Sequence, residues 1–139
     1  MACPYFMPTE RLEQQLWPHP PRLPLGYGWK GYCTAPGHDG AQPTTDQLKD
    51  GCNLGYAGCC ARLPRERTWD AVRFSLARDG DRRLWLHYVC EIQYRPGEHG
   101  RLEFDTVSGQ WSTPHRDARV QKMAECYLES YLRRKAKGI

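Results

Sequence analysis

No stretch of the 139 residues approaches the ~20 consecutive apolar side chains that a membrane-spanning helix requires, so no membrane contact is expected. No secretory leader is expected either. Met1-Ala2-Cys3-Pro4-Tyr5-Phe6-Met7-Pro8 has no basic start, Pro4 and Pro8 interrupt its apolar residues, and Glu10, Arg11 and Glu13 follow at once. The expectation is a cytoplasmic protein with reduced thiols. Signatures of common chemistry are also lacking. There is no G-x-G-x-x-G, no phosphate-binding glycine loop, no H-E-x-x-H and no nucleophile elbow. Gly26-Tyr27-Gly28 leads into no long helix, and the chain has no C-x3-C-x2-C triplet of the kind that radical chemistry on S-adenosylmethionine calls for.

Residues 1–64 have few aliphatic side chains. They hold nine of the eleven prolines and eight of the thirteen glycines, a composition that disfavours long helices and inner strands. Such a segment cannot bury a core of its own and needs another staple, most often a metal centre. What it does contain is cysteine. Five of the seven, Cys3, Cys33, Cys52, Cys59 and Cys60, fall within the first 60 residues. Thiols gathered on the loops of an intracellular chain point to metal binding or redox chemistry.

Four thiolates are the usual ligand set of an iron–sulfur cluster. Cys3, Cys33, Cys52 and Cys59 are therefore the predicted ligands of one cluster, of the [4Fe–4S] type, with Cys60 as the alternative to Cys59. Adjacent side chains point apart, so one of the pair binds and the other packs inward or resolves an oxidised state. Gly58 gives backbone freedom to Cys59. The gaps of 29, 18 and six residues match no compact ferredoxin run. Zinc is the rival cofactor: the chain lacks a C-x2-C pair, but His38, five residues after Cys33, could replace a thiolate. Disulfides or inert buried thiols remain open as further readings. Tyr5, Phe6, Trp17, Tyr27, Trp29, Tyr32 and Tyr56 flank the cysteines and could dry a cluster. Short helical turns are expected from Thr9 to Leu16, closed by Pro18, and from Thr44, whose capping box with Gln47 ends at Gly51 and leaves Cys52 just beyond.

After Pro64 the pattern changes. Val72, Phe74 and Leu76 alternate with polar or small residues, and Asp79-Gly80-Asp81 reads as a hairpin turn. Leu84, Leu86, Tyr88, Cys90, Ile92 and Tyr94 form a second alternating set, and Pro96-Gly97-Glu98-His99-Gly100 reads as the next turn. Leu102 and Phe104 follow, and Ser108-Gly109 turns the chain toward Trp111. This predicts an antiparallel meander of three strands with a short fourth. Thr113 is the expected cap of a final helix, Pro114 its first residue, and Val120, Met123, Ala124, Tyr127, Leu128, Tyr131 and Leu132 its apolar stripe. Cys90 on the sheet and Cys126 off the stripe are read as structural. His87 and Glu91 are read as solvent-facing, and His99 and His115 as exposed.

The net charge of +4 is uneven. Basic residues gather at Arg62/Arg65/Arg67 and Arg133/Arg134/Lys135/Lys137. A solvated loop and a helix C-terminus account for them. No basic motif interleaved with aromatics of the RNA-binding kind is present, so nucleic acid is not the expected partner. The expected architecture is one α+β domain over residues 1–139. Residues 1–64 would form a loop-rich metal-cluster module, and residues 65–139 a β-meander with a C-terminal amphipathic helix. The expected role is electron transfer or redox sensing, with a redox protein or larger enzyme as partner. A zinc-stabilised interaction module or accessory subunit is the alternative, and an enzyme with an open cluster iron is the second.

Overall fold

The protein is α+β, and the computed structural model describes residues 1–12, 23–54 and 60–138. Strands β1 (Phe6–Arg11) and β2 (Trp29–Cys33) pair antiparallel as a two-stranded sheet. A single turn, α1 (Thr45–Gln47), runs directly into a π-helical turn over Leu48–Cys52. Strands β3 (Ala71–Asp79), β4 (Arg83–Ile92), β5 (Arg95–Asp105) and β6 (Gln110–Thr113) form an antiparallel meander in sequential order. Helix α2 (Ala118–Ala136) closes the fold. Among the described residues no helix is long and apolar enough to cross a membrane.

Alternation in the second half has the expected outcome. Val72 faces Cys90, Leu76 faces Leu86, and Leu86 faces Leu102 across the ladders. These side chains share the inner face of the sheet; Leu76 is half-buried and the others are buried, as are Val120, Met123, Ala124 and Leu128 of α2. Ala2, Phe6, Leu25 and Trp29 join the same core, so both halves of the chain are built around it. Helix α2 is covered on a second side by the 23–29 segment. The Ser130 hydroxyl lies 3.0 Å from the Leu25 carbonyl and Arg134 Nη1 donates to the Gly26 carbonyl at 2.7 Å. That second cover explains why Cys126, off the stripe, is buried nonetheless.

Three local expectations need correction. Thr9 begins no helix. It lies within β1, because a two-stranded sheet tolerates the bulge between Pro8 and Glu10 and the missing N–H of Pro8. The rest of that expected turn, including Leu16 and Pro18, lies outside the described residues. The β1–β2 approach requires glycine at position 31, where a Cβ would stand 2.0 Å from the Met7 carbonyl oxygen. Residues 96–100 are not a turn but part of β5. The chain reverses at Gln93 and Tyr94, with φ of 50° and 62°, the left-handed values of a two-residue hairpin. Gly97 serves clearance instead, since a Cβ there would meet the Trp69 ring at 2.4 Å. The cap of α2 is Asp117 rather than Thr113. Its Oδ1 accepts from the backbone N–H of Arg119 at 2.8 Å, while Thr113 ends β6.

Candidate metal centre

Four cysteines arrive at one place from four separate segments. Cys3 is held through its neighbour: Ala2 exchanges two 2.9 Å backbone hydrogen bonds with Val72, which adds the N-terminus to the edge of the meander. Cys3 N–H then donates to the Cys52 carbonyl at 3.1 Å. Cys33 ends β2, and its backbone N–H donates to the Ala41 carbonyl at 2.9 Å, closing the loop that follows. Cys52 is the last residue of the π-helical turn. Cys60 opens a short turn closed by a 3.3 Å bond from Leu63 N–H to its carbonyl.

Cys52 depends on Asn53, a residue that no sequence motif singles out. Asn53 is 1% exposed. Its Oδ1 accepts from Trp29 N–H at 2.9 Å, and its Nδ2 donates to the carbonyls of Trp29 at 2.6 Å and Leu48 at 3.0 Å. The side chain thus pairs with the free edge of β2 as a strand would. Its own N–H reaches the Leu48 carbonyl at 2.9 Å, the i to i+5 bond that defines the π turn. Asn53 therefore fastens the Cys52 segment to the strand that ends in Cys33. The capping box expected at Thr44 and Gln47 is present, with bonds of 2.9 and 3.2 Å.

Cys3, Cys33, Cys52 and Cys60 line a single pocket of about 370 Å³, its mouth included, walled by Tyr5, Phe6, Ala35, Pro43, Gln47, Gly51, Arg62 and Leu63. Cys59 lies outside the described residues, as do Trp17 and Tyr56. All four described thiols are half-buried and none is in a disulfide. The Ala35 N–H points at Cys33 Sγ from 3.4 Å, the kind of bond that stabilises a thiolate or metal-bound sulfur. Burial pushes the Cys3 thiol up to about 11, opposed by the backbone N–H groups of Tyr5 and Phe6, while Cys33 and Cys60 raise it further. Burial likewise pushes Cys52 up to about 12, reinforced by Cys3, Cys60 and Cys33, with Arg62 alone pulling it down. A cation bound beside Cys3 and Cys52 would stabilise both as thiolates.

The spacing bears on which cation fits. A single zinc at about 2.3 Å from each sulfur would hold them about 3.8 Å apart. Among the described residues, the one trio of metal-binding side chains whose ligand atoms all lie within 4.8 Å of one another is Cys90, Glu98 and His115. No three of the pocket thiols come that close.

No family model, curated protein or solved structure matches the chain.

The Cys90–Glu98–His115 trio has the donor set of a metal site, but its atoms are already committed. Asp117 N–H donates to His115 Nδ1 at 2.9 Å, so the proton of the neutral ring sits on Nε2. That nitrogen lies 2.8 Å from Glu98 Oε2. Tyr88 also donates to Oε2, at 3.1 Å, and Arg116 reaches both carboxylate oxygens. Arg116 would repel an incoming cation. Cys90 is pushed up to about 12 by burial, with Glu98 and Asp117 adding to it, so it stays a thiol. The trio ties β5 to the entrance of α2 and is not a Cys–His nucleophile pair. His115, expected to be exposed, is buried because this network holds it.

The network makes a pH prediction. The Arg116 guanidinium, with His115 and Tyr88, holds Glu98 down at about 2 against an ordinary 4.5. A lowered carboxyl contributes stability that is fully present above its unfolded pKa and is lost as pH falls through its folded one. The urea midpoint should therefore fall with an extra slope between about pH 4.5 and pH 2. Glu98→Gln should remove that part of the slope while lowering stability at neutral pH. Identical acid profiles for the two proteins would contradict this role for Glu98.

The remaining expectations about polar residues divide. His87 pairs edge-on with His99 at a ring separation of 5.7 Å. Glu91 is 5% exposed and bonded to Arg73 Nε at 2.8 Å, so it does not face solvent. The basic clusters are largely committed. Arg67 pairs with Asp70 at 2.5 Å, Lys135 with Asp79 at 2.8 Å, and Arg134 with the Gly26 carbonyl. Arg62 turns to the thiol pocket.

Proposed function

We propose that the chain holds an iron–sulfur cluster, of the [4Fe–4S] type, through Cys3, Cys33, Cys52 and Cys60. It would use the cluster to pass single electrons or to report redox state. The observation that carries this is the meeting of four free cysteines from four segments in one half-enclosed pocket. Cys60 replaces Cys59 as the preferred fourth ligand because it lines the pocket. Complete cysteine coordination leaves no iron open to a substrate, which favours a carrier or sensor over an enzyme. A cytoplasmic setting, with a redox protein or larger enzyme as partner, suits that role. A zinc-stabilised interaction module is the competing reading. It would need the thiols to draw closer together on binding.

Protein purified without oxygen from iron-replete cells should be brown, with broad thiolate-to-iron absorption. Iron and acid-labile sulfide should be present in equal amounts. Stoichiometric zinc without iron or sulfide would falsify the proposal in favour of the interaction module.

A further inference from the structure

Resting on the iron–sulfur reading of the pocket, we infer that Arg62 sets the reduction potential of the centre, holding it above the value the four thiolates alone would give. Among the described residues Arg62 is the one charged side chain that lines the pocket. The rest of the wall is aromatic, aliphatic or, at Gln47, a neutral amide. Arg119, a second guanidinium, lies over the ring of Tyr5 with its carbon 5.0 Å from the centroid; it does not line the pocket, although its charge is felt by Cys3. It is bound to Asp117 at 3.0 Å and to Thr34 at 3.2 Å, so a carboxylate offsets its charge. Among the described residues no carboxylate lines the pocket beside Arg62.

The redox step is simple to balance. One electron from an external donor enters the iron–sulfide core, no bond to the protein forms or breaks, and no proton has to move. A core with four thiolate ligands is anionic in both states, and reduction adds one more negative charge. A fixed cation at the wall therefore stabilises the reduced state more than the oxidised one. The effect is stronger in a dry, apolar enclosure than in water. Guanidinium stays charged across the working pH range, so the bias is constant.

The test is a reductive titration with dithionite, followed by electron paramagnetic resonance, on anaerobic full-length protein after its iron and sulfide have been measured. Arg62→Gln should keep the cluster and shift the midpoint to lower potential. At the wild-type midpoint its ratio of reduced to oxidised protein should fall on the order of tenfold. Arg62→Lys should restore the wild-type midpoint, and Leu63→Arg, which adds a second cation to the same wall, should raise it. An intact cluster in Arg62→Gln with an unmoved or raised midpoint would overturn the inference. If that variant fails to load its cluster, Leu63→Arg decides, and an unmoved midpoint there has the same force. A wild-type protein without iron and sulfide would instead defeat the reading of the pocket, and the inference with it.

Discussion

Replacing any one of Cys3, Cys33, Cys52 and Cys60 by serine should bleach the centre or leave it too labile to survive purification. Each of the four sulfurs reaches the same pocket, so each removal takes one of four bonds from the same cluster. Serine keeps the volume but is a poor ligand for iron at neutral pH. Cys90→Ala and Cys126→Ala should leave the spectrum unchanged, since both side chains are buried among core residues away from the pocket. Each should still cost roughly 1–3 kcal/mol through the space it vacates. Cys59→Ser is the informative control, because Cys60 is the neighbour that lines the pocket. Iron content, sulfide content and visible absorption of the seven proteins would decide the ligand set. Full occupancy in Cys3→Ser would remove the N-terminal ligand, and a bleached Cys59→Ser with an intact Cys60→Ser would exchange the pair.

Asn53→Ala should be the most damaging change that touches no thiol. It deletes three hydrogen bonds from a fully buried amide and leaves the N–H and carbonyl of Trp29 without their partner. Unsatisfied buried polar groups make such losses larger than the bonds themselves, so a cost of roughly 2–4 kcal/mol is expected. Asn53→Asp should be at least as harmful, because it loses both amide donors and buries a charge. Urea unfolding measures the first effect. Iron loading measures the second, because the Cys52 segment is no longer fastened to β2. A change in stability under about 0.5 kcal/mol with normal loading would mean that Asn53 does not position the site.

The two halves were unequally legible in the sequence, and the reason is the range of the forces involved. The meander and α2 could be read because period-2 and period-3.6 apolar patterns are local consequences of one buried face. Val72, Leu86, Leu102 and Met123 sit where those patterns put them. The errors came where a residue's local preference answered to a distant neighbour. Gly97 looked like a turn glycine and is there to clear Trp69, and His115 looked exposed and is enclosed by Glu98 and Tyr88. Thr9 looked like a helix cap and is the bulge residue of β1, the strand that pairs with β2.

The amino-acid sequence by itself determined the α+β class, the strand order of the meander, and the gathering of cysteines in a segment unable to bury a core. Only the tertiary structure decided that four of those cysteines share one pocket, that Cys60 lines it, that Asn53 secures Cys52, and that Arg62 is, among the described residues, the one charged side chain in its wall. Those relations join residues 3, 33, 52 and 60 across gaps with no common period. They arise from the Ala2–Val72 bridge, the β1–β2 pairing and the Asn53–Trp29 contact. A one-dimensional pattern records which faces avoid water, and contacts of this kind exist only once the chain has closed on itself.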